Sequence, residues 1–163
     1  MRWLGEYFKF NTFEISCPVL RDSKLAPAGK TGLIISTLFD YTVTKRIFDD
    51  GWYDEFKLLC ENLIIDILDS TIYPGIRSKV LFQFSSTPLT FLERLGNSEG
   101  AITGWAFTNR EIPAETRLLR IANATKTPIP HVLQAGQWSF SPSGLPVSIL
   151  TGKLAADQAL KKK

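Results

Sequence analysis

The stretch of this chain best suited to chemistry is residues 135–156, AGQWSFSPSGLPVSILTGKLAA. Its residue order predicts a strand ending at Gly136, a loop carrying Trp138 and Phe140, and a helix opened by Gly144 and Pro146. That order places backbone N–H groups without helical acceptors beyond the carboxyl end of a strand. Such a place suits an anion, or a ligand that gains negative charge. Pro146 fits the first turn because its missing N–H would have had no partner there. Gly152 permits close approach of another helix or backbone. The plainer reading of the same spacing, a strand–loop–helix unit with packing glycines and no ligand, stays open on these residues alone.

Other chemistries find weaker footing. His131 is the only histidine and stands beside Pro130, which favours a structural role over a proton donor. Cys17 and Cys60 form no C-x-x-C pair, so neither a redox motif nor a thiolate metal site is expected, and both read as buried apolar residues. Asp49, Asp50, Asp54 and Glu55 read as helix-start capping and solvated charge rather than an acid–base pair or a cation site. Ser139, Ser141, Ser143 and Ser148 have no histidine partner nearby and no G-x-S-x-G context. No residue is therefore assigned a catalytic or metal-ligating role.

The elements that must position this stretch can be read in outline. Alternating aromatic and branched residues predict a strand over 7–20 and a second over 31–41, joined by a loop at 21–30. Residues 42–51 read as a connector with at most a helical turn. Trp52, Phe56, Leu59, Leu63, Ile64, Ile67 and Leu68 repeat at helical spacing and predict a helix over 52–68, capped by Asp50 and stopped at Tyr73-Pro74-Gly75. A third strand is expected at 80–87 and a short helix at 88–97, begun by Pro88. Residues 100–107, punctuated by Gly100 and Gly104, read as a loop or short strand needing close backbone approach, 112–130 as mixed, 131–136 as a strand and 145–161 as a helix. The fold class expected is α+β: a mixed or antiparallel sheet with the 52–69 helix packed on it. A substrate-type region over 1–128 would be followed by the strand, loop and helix of 129–163 in one compact unit.

Composition narrows the function classes. The chain has 163 residues, with 19 Lys and Arg against 16 Asp and Glu, a net charge of +3. That is too small to argue for nucleic-acid binding. An apolar fraction of 44% with 21% charged residues excludes a disordered chain. A mean hydropathy of +0.01 is a little high for a small domain and points to a sticky surface: a peripheral membrane face, a partner interface, or a piece of something larger. The start MRWLGEYFKF lacks the apolar core of a secretory signal, and no apolar run is long enough to span a bilayer. A cytoplasmic location is the expectation. The terminal lysines 161–163 read as a solvated helix end, with contact to anionic lipid as the alternative.

Residues 135–156 resemble the C-terminal flavin-binding segment of the phytoene desaturase-like FAD-dependent oxidoreductases, within the wider amine-oxidase-like group. The matching positions are Ala135, Gly136, Trp138, Pro142, Gly144, Pro146, Thr151, Gly152, Ala155 and Ala156. Residues 84–107 and 11–37 look similar to the family's substrate-region segments, so the likeness extends over nearly the whole chain. The resemblance implies that FAD meets Gly136, Gln137, Trp138, Gly144, Leu145, Pro146 and Val147. The helix start near 145–147 would then face the N1/C2=O edge of the flavin. It implies that Trp105 and Phe107 line a cavity for a large apolar, isoprenoid or carotenoid-like substrate, which gives up a hydride to flavin N5 without an acid–base pair.

Gln137 departs from the acidic residue often found at that place in the family. The family's N-terminal dinucleotide-binding unit has no counterpart here. The resemblance therefore expects a partner: a separately encoded dinucleotide-binding polypeptide, or further copies of this chain. The alternative is a non-catalytic binding or assembly module, or an inactive fragment, that keeps the apolar cleft.

Overall fold

The computed structural model describes residues 2–105 and 112–161. The chain divides into two compact units, Met1–Gly100 and Ala101–Lys163. The region expected over 1–128 thus takes in the whole first unit and the start of the second. The fold is mixed α and β, with one antiparallel sheet of two strands. Helical turns account for about 52% of it, so helices rather than the sheet carry the packing.

The first unit opens with helix α1 (Arg2–Lys9), where a strand over 7–20 was expected to begin. Aromatic residues in this segment satisfy both an alternating and an i, i+4 pattern. The helix prevails because Leu4 and Phe8 then share one face and are almost fully buried. Strand β1 (Glu14–Ser16) pairs antiparallel with β2 (Ile34–Ser36), Ile15 lying opposite Ile35. Both strands are much shorter than the sequence patterns that predict them. Pro18 begins a 3-10 turn directly after β1, and among the described residues no third strand extends the sheet.

Helix α2 (Tyr41–Asp49) replaces the expected connector. Asp40 starts it: its Oδ1 accepts from the Val43 N–H at 2.9 Å, and the Thr44 hydroxyl donates to the Asp40 carbonyl at 2.8 Å. Lys45 and Asp49 pair one turn apart at its end. Asp40→Ala should therefore lower the stability of this unit by about 1 kcal/mol in urea unfolding, with the native helix content retained.

Helix α3 (Tyr53–Ser70) follows the helical repeat read from the sequence. Its start differs in detail: Asp50 closes α2, and Trp52 precedes α3 without a side-chain cap. It packs against α1 and α2 rather than against the sheet. The core joins Leu4, Phe8 and Phe56, flanked by Phe39, Ile47, Leu59 and Leu63. The Phe39 ring stands 5.3 Å from Phe56 and 5.4 Å from Tyr7, within the range of favourable aromatic pairing. Trp52, expected on the packed face, is 58% exposed. Cys60 is half-buried beside this core, and burial first, then the Glu61 charge, pushes its thiol up to about 12. Cys17 is also only half-buried, its sulfur 3.2 Å from the Thr31 hydroxyl.

The third expected strand, 80–87, pairs with nothing among the described residues. Helix α4 (Pro88–Leu95) follows as expected, with Pro88 in its first turn and Gly96 at its end. Thr87 and Thr90 bond reciprocally to each other's backbone, and the Tyr53 hydroxyl lies 2.6 Å from Thr87 Oγ1.

In the second unit, the strand expected at 131–136 is reduced to one antiparallel bridge, Lys126 with Leu133. Helix α5 (Leu145–Lys161) occupies the predicted residues. Among the described residues no helix is long and apolar enough to cross a membrane.

Candidate functional site

The second unit builds its site by tying residues 131–144 to α5 on one side and to 115–126 on the other. The Gln134 N–H donates to the Thr125 carbonyl at 2.8 Å, and its side-chain amide donates to the Ala124 carbonyl at 3.0 Å. Gln158 on α5 donates to the Ala122 carbonyl at 3.0 Å. These bonds fix the entry to the loop.

At Gly136 the chain turns with φ +97°, a conformation L side chains rarely adopt. Its N–H donates to Thr151 Oγ1 at 3.0 Å, and that hydroxyl donates back to the Val147 carbonyl at 2.9 Å. Thr151 is fully buried. The Gly136 carbonyl accepts from the Ser139 hydroxyl at 2.7 Å, closing a tight turn. The two ends of the motif, Ala-Gly and Thr-Gly, are thus bonded through one side chain.

The loop is then walled. Gly104 has φ +82°, and a Cβ there would stand 2.3 Å from the Gln137 carbonyl oxygen. Only glycine lets these two backbones lie so close. Trp105 follows, its indole N–H donating to the Trp138 carbonyl at 2.9 Å. The two indole rings meet edge to face, with centroids 5.2 Å apart. Phe140 bridges in parallel to Glu115, and the Ser141 N–H donates to the Glu115 carbonyl at 2.9 Å. Ser139, Phe140 and Ser141 are buried, and the Ser141–Pro142 peptide is cis. The Glu115 carboxylate accepts from the Arg117 and Thr116 N–H groups, and those bonds, the Arg117 one first, hold its carboxyl below the usual carboxylate range.

The α5 start is open. The Ser148 N–H bonds the Gly144 carbonyl at 2.9 Å, which begins the helical ladder. The Leu145 and Val147 N–H groups meet no backbone carbonyl among the described residues, and Pro146 has none to offer. Leu145 and Pro146 are exposed, Val147 half-exposed. Nothing lies within 4 Å of a Cβ built at Gly136, and only the Pro146 ring comes within 4 Å at Gly144. The Ser143 hydroxyl oxygen is shielded from solvent and has no hydrogen-bond partner.

Of the residues singled out from sequence, Gly136, Gln137, Trp138, Gly144, Leu145, Pro146 and Val147 therefore lie on one loop and the helix start it leads to. Trp105 joins them by packing on Trp138. Phe107 lies outside the described residues. A cavity of about 420 Å³ in this unit is lined by 112–117, Asn123, Ala124, Lys126 and Gln134, and by none of the residues singled out from sequence. Gly104 supplies the close backbone approach expected of 100–107, with Gln137 as the partner the sequence does not name, and Thr151 carries more of the arrangement than its place in the motif suggests. A threonine sixteen positions after Ala135 is visible as a motif residue, but its bond to Gly136 is a tertiary contact. Among the described residues no group of three metal-binding side chains forms.

Compared with family models, with curated proteins and with solved structures, the chain matches none.

Proposed function

We propose that this chain supplies the flavin-covering part of an FAD-dependent oxidoreductase of the phytoene desaturase-like kind, acting on a large apolar, isoprenoid-like substrate. The observation that carries this reading is the Gly136–Thr151 bond, which makes one rigid piece of the loop and the helix start. On that piece the residues fit one edge of a flavin. The bare faces of Gly136 and Gly144 admit a planar ring against backbone. The unpaired N–H groups of Leu145 and Val147, at the positive end of α5, suit the oxygen and nitrogen acceptors of that edge. The redox chemistry is the flavin's own, acceptance of a hydride. What this chain's residues do is bind that edge, favour negative charge on it and shield it from water. Trp138 and Trp105 would form the apolar wall beside it. Gln137 offers an amide, without charge, where family members often carry an acid.

A surface that meets one edge needs a second surface for the rest of the cofactor. The partner this reading calls for is a dinucleotide-binding polypeptide with a Gly-rich turn, or another copy of the chain. The second reading, a binding or assembly module without redox activity, draws on the same exposed apolar surface. Gly144→Val separates the two. The fold has room for the added side chain, so stability should change little. Binding of FAD, followed by quenching of flavin fluorescence, should weaken about tenfold or more because the branched chain blocks backbone approach. Equal affinity in the two proteins would favour the module.

A further inference from the structure

Residues 80–86, VLFQFSS, carry an observation independent of the flavin reading. Alternation marks them as a strand, yet their backbone N–H and C=O groups bond to no other backbone among the described residues. The segment is nonetheless held at both ends. At its beginning the Arg77 N–H donates to Asp69 Oδ1 at 3.0 Å, and its guanidinium reaches the Asn62 carbonyl at 3.0 Å and the Asp66 carboxylate. At its end the Ser85 hydroxyl donates to Glu61 at 2.6 Å, and Thr87 meets Tyr53. All these partners lie on α3. Between the anchors Phe82 and Phe84 stack on each other, ring planes 3° apart, and each is 79% exposed; Leu81 is 70% exposed. A row of unpaired backbone groups beside bare aromatic rings is a template for another strand.

We propose that this segment pairs antiparallel with the same segment of a second copy of the chain. The sequence is self-complementary about Gln83. With Gln83 opposite Gln83 of the second copy, each Phe82 faces a Phe84, and the four rings form one layer. Leu81 faces Ser85, and Val80 faces Ser86. No charged residue occurs from Val80 to Leu92, so no like charges oppose each other, and the two Lys79 side chains lie at opposite ends. None of the seven residues is proline, so every one has an N–H to offer. The exposed area leaves room for such a contact. Two separate compact bodies of 100 and 63 residues would expose about 9,800 Å² together, at typical residue masses. The chain exposes 12,239 Å². The surplus exceeds the roughly 800 Å² that each partner contributes to an ordinary stable interface. Because α3 already holds the segment in place, less ordering is lost on pairing.

Sedimentation equilibrium of the 163-residue chain tests this. The expected result is a reversible monomer–dimer equilibrium with a dissociation constant on the order of micromolar, as fits a small two-stranded contact. Phe84→Lys and Phe82→Lys should each raise that constant about 30-fold or more. Their helical circular dichroism should not change, since both rings are bare in the single chain. Leu20→Lys, at an exposed apolar residue elsewhere in the same unit, should leave the constant unchanged. Amide hydrogen exchange at 80–86 should slow with protein concentration in the wild type and not in Phe84→Lys. A chain that stays monomeric at about 100 μM, well above the micromolar constant expected, overturns the proposal. So does a dimer that Phe84→Lys leaves intact.

Discussion

Gly104→Ala is expected to destabilise the second unit by about 3 kcal/mol, the largest effect of any single methyl group added beside the Gly136 loop. Two costs combine. The residue holds φ +82°, where an L side chain is strained by about 1 kcal/mol or more. The added Cβ also falls 2.3 Å from the Gln137 carbonyl oxygen, which belongs to backbone and cannot swing aside. Relief requires the 104–105 segment and the 136–139 turn to part. The Trp105 N–H bond to the Trp138 carbonyl and the edge-to-face ring pair would be lost with it. The paired indoles should give a near-ultraviolet circular dichroism signal that disappears in the variant. Urea unfolding monitored in the same region gives the stability loss. An alanine variant within about 0.5 kcal/mol of wild type would contradict this placement of the two backbones.

Thr151→Val should cost about 2 kcal/mol, although it barely changes the side chain's volume. The valine fills the buried space but leaves the Gly136 N–H without its acceptor. Thr151→Ser keeps the hydroxyl and should cost clearly less. The distinctive consequence is local. Hydrogen exchange at the Gly136 amide should quicken at least about tenfold in the valine variant and stay near wild type in the serine variant. On the proposed flavin-covering role, affinity for FAD should fall in parallel, because Thr151 acts by holding the loop against α5. If valine and serine behave alike at that amide, the loop is held by something other than this hydroxyl.

Helices were the legible part of this fold, and strands were not. The apolar repeat at Phe56, Leu59, Leu63 and Ile67 is a local property, and so are Pro88 and Pro146 at helix starts; α3, α4 and α5 appear where those signals lie. A strand needs a partner brought from elsewhere in the chain. Among the described residues, 80–87 have the alternation but no partner strand, and 131–136 pairs through a single bridge at Leu133. In α1 the aromatic residues fit two periods at once, and burial of Leu4 and Phe8 decides between them. The connector read at 42–51 became α2 because Asp40 caps it, a signal present in the residues but obscured by its mixed polarity.

The site divides the same way. Gly136, Gly144 and Pro146 mark its turns in the sequence itself. The bond from Gly136 to Thr151 and the approach of Gly104 to Gln137 span 15 and 33 residues and arise only on folding.

The most direct test of the account is a backbone amide chemical-shift map of the ¹⁵N-labelled chain titrated with FAD. Gly136, Gly144, Leu145 and Val147 are expected to shift together, with the Trp138 indole following, and Gly144→Val is expected to reduce all of these shifts. Shifts confined to the cavity around Asn123 and Lys126, or no shift at millimolar FAD, would contradict it.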